Sequence, residues 1–247
     1  MKINQKKLHK IFATVFAIFA FALVHTLSSC SPSCAITIFP QGELQISVQN
    51  KASDELNSLI QSLFQSGLNG NSSDQAPVLT EEDFSQLMLQ DAKFSIANTV
   101  DFSLECKLEK NALSEEILKI TPEKKTIILS WEPSFLLGQV EADENLQDIM
   151  ELLMAPVYTQ EEISSEEYLE AIASFYGKKI SEKFRKSVLT IKIDAPSAIK
   201  NCTIKEDESL SEKLNAVIKH SGKTATIEIP IYRLLSINGK TSFIILL

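Results

Sequence analysis

The stretch Lys223-Thr224-Ala225-Thr226-Ile227-Glu228-Ile229-Pro230-Ile231 decides the fold class. Ala225, Ile227, Ile229 and Ile231 alternate with Thr226, Glu228 and Pro230. A strand puts such a set on one face, because its side chains point to opposite sides in turn. Ser221-Gly222 just before it reads as a tight turn. Downstream, Asn238-Gly239 is the strongest two-residue hairpin turn in the chain. Ser242–Leu247 then closes as a strand so apolar that it is expected to be central or well covered. Upstream, Leu189, Ile191 and Ile193 repeat the alternation within Ser187–Asp194, Ala195-Pro196-Ser197 turns the chain, and Ala198–Ile204 reads as extended.

The N-terminal half has the same grammar. Ala35–Phe39 and Glu43–Gln49 flank Pro40-Gln41-Gly42, a hairpin signal. Lys93–Ile96, Val100–Glu109 and Lys125–Trp131 are further extended runs. Helical spacing appears after Ser53 (Leu56, Leu59, Ile60, Leu63, Phe64, ending at Gly67), after Thr80, over Asn145–Met154, and from Ser165 to Gly177. Ile180 and Phe184 extend that last region, and residues 67–79 are turn-formers. Strands, helices and strands in this order predict an α+β fold over 35–247. The expected architecture is a mostly antiparallel sheet with helices packed on one face and a helical insertion at about 133–186.

The 247 residues carry 24 Lys plus Arg against 32 Asp plus Glu, a net of -8. That average joins two unlike pieces. Lys2, Lys6, Lys7 and Lys10 precede a run from Ile11 to Leu27 without Lys, Arg, Asp or Glu, and Leu27-Ser28-Ser29-Cys30 follows. Basic residues, an apolar run and small residues before a cysteine resemble the signal peptide and lipobox of bacterial lipoproteins. The resemblance implies cleavage between Ser29 and Cys30, a diacylglyceryl group on the Cys30 sulfur, residues 1–29 as signal, and 30–34 as lipidated N-terminus and short tether. It places the body outside the cytoplasm at the cell envelope, with the membrane as its first partner. An uncleaved helical anchor is the alternative, since this 17-residue run lies at the lower edge of a bilayer span.

Cleavage leaves 20 basic against 32 acidic residues, a net of -12. Such a body is not expected to bind nucleic acid or to adhere by charge to an anionic membrane. Cys34, Cys106 and Cys202 would remain. An odd number cannot all pair within one chain, and a Cys106–Cys202 disulfide or buried free thiols are both open readings.

No GxSxG, HExxH, GxGxxG or CxxC pattern occurs, so neither a catalytic centre, a metal site nor a cofactor is expected. Glu115/Glu116, Glu161/Glu162 and Glu166/Glu167 read as solvated or first-turn charges. The segment with Phe135, Leu136, Leu137, Ile149, Met150, Leu153, Met154 and Tyr158 is apolar nearly all round. It is either core or the lining of a groove for an acyl chain or partner helix, and Met suits loosely specified ligands.

The strand pair Ala35–Gln49, the turn Ala195-Pro196-Ser197 and the closing Ser221-Gly222-Lys223-Thr224-Ala225-Thr226-Ile227 resemble the LppM-like lipoprotein domain. Residues 110–186 have no counterpart in it. The resemblance implies an envelope domain with a lipid-binding cavity and no catalytic residues. The expected function is therefore a membrane-anchored, non-catalytic module that binds a lipid or other apolar ligand. The alternative is a structural or protein-interaction lipoprotein.

Overall fold

The computed structural model describes residues 32–50, 93–96, 102–108, 118–121, 125–133, 137, 151, 153, 155–208 and 212–247. The signal and lipobox, the helices expected after Ser53, after Thr80 and over Asn145–Met150, and the loop 67–79 lie outside these residues.

Eleven strands are described. They are β1 (Ser33–Ile38), β2 (Leu44–Asn50), β3 (Lys93–Ile96), β4 (Phe102–Leu108), β5 (Leu118–Thr121), β6 (Thr126–Trp131), β7 (Val188–Asp194), β8 (Asn201–Glu206), β9 (Val217–Ser221), β10 (Thr224–Pro230) and β11 (Thr241–Leu246). Between β6 and β7 three helices are described in full, α1 (Pro156–Thr159), α2 (Ser165–Tyr176) and α3 (Lys178–Lys186). A short α4 (Ile231–Ser236) separates β10 from β11.

The strands form two sheets. A seven-stranded sheet has the order β3-β4-β2-β1-β7-β10-β9, and a four-stranded one the order β5-β6-β11-β8. All pairings are antiparallel except β1 with β7. A parallel neighbour needs a long crossover, and here β2–β6 and the helices supply it.

The register explains the alternation in the sequence. Leu104, Val48, Cys34, Ile191 and Ile227 lie in one row across β4, β2, β1, β7 and β10. Cys106, Ile46, Ile36, Ile193 and Ala225 form the next. Both rows are buried, so the large sheet turns one apolar face inward. In the small sheet Leu118, Ile127, Leu129, Phe243 and Ile245 do the same. These faces and the apolar sides of the helices join one core.

Two expectations at the C-terminus fare differently. β11 is central, between β6 and β8, so its backbone groups are paired on both sides. Asn238-Gly239, however, does not close a hairpin, because β10 and β11 belong to different sheets. Ile231, Leu234 and Leu235 recur at helical spacing and are buried on α4. Burying that face outweighs the local turn preference and carries the chain from one sheet to the other. Elsewhere the turns stand as read: Gly42 (φ 92°) joins β1 to β2, and Gly222 (φ 58°) joins β9 to β10.

Candidate functional site

The end of the large sheet at which β1 begins is where the sequence and the fold meet. Pro32 is buried, and its carbonyl accepts the Thr190 N–H at 3.0 Å. Ser33 pairs with Gln49 on one side and Thr190 on the other. β1 is the middle strand of seven. Pro32, two residues after Cys30, is thus already bonded to β7, and the middle strand of the sheet follows it directly. Cys30 itself and Ser29 lie outside the described residues.

α3 closes at the same end. Its C-cap Ser187 immediately precedes β7, and the Ser187 carbonyl accepts the Ile231 N–H at 3.1 Å. α2 and α3 form an antiparallel pair about Gly177. Ser181 Oγ donates to the Leu169 carbonyl at 2.7 Å. Arg185 grips the Glu166 carboxylate with both guanidinium nitrogens, at 2.7 and 2.5 Å. That hydrogen bond holds the Glu166 carboxyl below the usual carboxylate range.

A polar cluster closes the other side of α2. Glu212 accepts the Ser165 N–H at 3.2 Å and its Oγ–H at 2.6 Å. Ser165 Oγ lies 2.8 Å from Ser236 Oγ, and Arg233 approaches Glu212 at 3.5 Å. The carboxylate satisfies the first N–H of α2, that of Ser165, and ties the 212–216 segment and α4 to that helix. Ser165 is buried and faces a carboxylate, and the one histidine among the described residues, His220, is exposed on β9. The cluster is a latch that joins α2, α4 and the 212–216 segment, and among the described residues no histidine faces the Ser165 hydroxyl.

The apolar segment divides. Leu153 and Tyr158 are half-buried and pack on the core beside the fully buried Val157. The Leu153 carbonyl accepts from the Tyr168 hydroxyl at 3.2 Å. Leu137 is half-buried. Phe135, Leu136, Ile149, Met150 and Met154 lie outside the described residues.

The Cys106–Cys202 disulfide allowed by the sequence is not formed, and Cys34, Cys106 and Cys202 are free thiols. Cys106 is on β4 of the large sheet and Cys202 on β8 of the small one. Cys34 and Cys106 share the buried face but have β2 between them. Two sheet spacings, about 10 Å, exceed the reach of a disulfide. Burial pushes the Cys34 thiol up to about 12, with Cys106 adding to it, and burial pushes Cys106 up to about 11. Both stay protonated at neutral pH and act as small apolar side chains, poor as nucleophiles or metal ligands. Among the described residues no group of three His, Cys, Asp or Glu is placed to hold a metal, and no helix is long and apolar enough to cross a membrane.

The sequence reading passed over one feature. Lys178-Lys179-Ile180-Ser181-Glu182-Lys183-Phe184-Arg185-Lys186 holds five basic residues against one acidic, all on α3. The signal was the local charge run, hidden inside an acidic average.

Comparison of the chain with family models, curated proteins and solved structures finds no match.

Proposed function

We propose that the protein is a cell-envelope lipoprotein, anchored through Cys30, whose non-catalytic body binds a lipid or other apolar ligand. The observation that carries the anchor is continuity. The basic, apolar and small-residue pattern ends at Cys30, and β1 begins at Ser33 with Pro32 already bonded to the body. Cleavage before Cys30 then leaves every residue of β1 in place. In this reading the helices cover one face of the sheets, and the adaptable Met150 and Met154 belong to the ligand's contact surface.

The anchor is tested by metabolic acyl labelling: wild type should take label and Cys30→Ala should not, and labelling that persists in the variant refutes it. Ligand binding is tested by native mass spectrometry of the mature body together with uptake of a fluorescent acyl probe. A co-purifying lipid or saturable uptake is expected, and a body that shows neither has no such ligand.

A second reading, a lipoprotein that meets a protein partner, is favoured by Phe175, which is 70% exposed at the end of α2. Crosslinking in cells should then trap one specific protein, lost on Phe175→Ser.

A further inference from the structure

Three features converge at the tether end of the large sheet. The first is reach. Pro32 is held by Thr190, so Ser31 alone separates the folded body from Cys30. Two residue steps span at most about 7 Å, close to the depth of one headgroup layer, about 5–7 Å. A body acylated at Cys30 therefore has this end at the bilayer surface, whatever its net charge.

The second is place. Ser33 pairs with Thr190, and β7 starts two residues earlier, directly after α3. The C-terminal end of α3 is thus at the anchor end.

The third is charge. Lys179, Lys183 and Lys186 recur at i, i+4 and i+7, which places them on one line of the helix. That line lies well away from the line of Ser181 and Phe184, which are buried. Lys178, Glu182 and Arg185 form the adjoining line, with Arg185 bound to Glu166. Outside α3 the mature chain has 15 basic and 31 acidic residues, whereas α3 has five basic and one acidic, a local positive excess on one short helix.

We propose that this end of the sheet is the face the domain lays on the membrane, with Lys179, Lys183 and Lys186 against the phosphates of anionic lipid headgroups. The inference rests on the Cys30 anchor. The physical reason is orientation. An acidic body is repelled by an anionic surface, but its tether is too short to let it withdraw. The screening length is about 8–10 Å, so only the charges nearest the surface count. Turning the α3 lysines to the headgroups satisfies the tether, although the antiparallel pairing brings Glu166 and Glu167 to the same end, Glu166 already bound to Arg185.

Lysine footprinting tests this without any substitution. The acylated full-length chain is placed in vesicles of phosphatidylcholine alone, or of phosphatidylcholine with phosphatidylglycerol at about one lipid in three. It is then acetylated with a water-soluble amine reagent and read by mass spectrometry. Lys179, Lys183 and Lys186 should react more slowly on the anionic vesicles, by up to about five-fold each, the factor equivalent to about 1 kcal/mol per basic residue near such a surface. High salt should erase the difference. Lys223, at the opposite end of β10, should react equally in both. Equal rates for the α3 lysines, with the diacylglyceryl mass present on the N-terminal peptide, overturn the proposal and leave the anchor standing. Absence of that mass overturns both.

Discussion

α2 and α3 are consecutive helices, antiparallel, joined at one glycine, and built on opposite principles. α2 has a capping box: Glu167 N–H donates to Ser164 Oγ at 3.2 Å, and Ser164 N–H donates to the Glu167 carboxylate at 2.7 Å. It buries Tyr168, Leu169 and Ile172. α3 has no side-chain cap and buries only Ser181 and Phe184. The contrast shows that α2 is fixed by its cap and its buried apolar side chains, whereas α3 buries little beyond Phe184 and carries mostly charge. In the membrane proposal that charged face is the one that meets the headgroups.

The comparison breaks most severely in the core. Phe184→Ala should cost about 3–5 kcal/mol and Ile172→Ala about 2–5 kcal/mol, since both side chains are almost fully buried. Urea unfolding with an unchanged slope checks this. If Phe184→Ala were as mild as a surface change, α3 would be docked by charge alone.

The junction comes next. Gly177 has φ 90° and ψ 154°, a conformation nearly reserved for glycine. Open space surrounds its α-carbon, so Gly177→Ala meets backbone strain and no clash. A loss of about 1–3 kcal/mol is expected, read as a lower thermal midpoint.

Ser164→Ala removes the cap of α2 and should cost about 1 kcal/mol. It also changes the acid response. The Ser164 hydrogen bonds hold the Glu167 carboxyl low, as Arg185 does for Glu166. A carboxylate whose folded value is depressed contributes stability above its ordinary value of about 4.5, and that contribution is lost as pH falls through the folded value. Ser164→Ala should therefore flatten the stability profile below about pH 4.5, measured by urea midpoints. Both carboxylates are exposed, so the effect is small.

The smallest effect sharpens the contrast. Replacing Lys179, Lys183 and Lys186 together by Gln should change stability by no more than about 0.5 kcal/mol per site, while abolishing the salt-dependent difference between vesicle types. A large loss of stability would make the stripe structural.

The turn residues and alternation made most strands legible. Gly42, Gly222 and the Leu189-Ile191-Ile193 set marked elements that the structure contains. α2 was readable from Ser165 to Gly177 because its cap, apolar spacing and terminating glycine agree. β5 was missed, since only Leu118 of the four residues Leu118–Thr121 is buried and no alternation marks them. The Asn238-Gly239 reading failed because turn chemistry is local and the placing of Ile231, Leu234 and Leu235 in the core is not.

The sequence by itself determined the strand and helix pattern, the split between a basic N-terminal piece and an acidic body, and the pattern ending at Cys30, because each is written in neighbouring residues. Only the tertiary structure decided that β1 is the centre of seven strands and pairs in parallel with β7. The same holds for the assignment of Cys106 and Cys202 to different sheets, and for α3 ending where the tether begins. Those facts join residues about a hundred positions apart or more. The interactions that set them, burial of sheet faces and completion of strand edges, depend on the whole core forming at once.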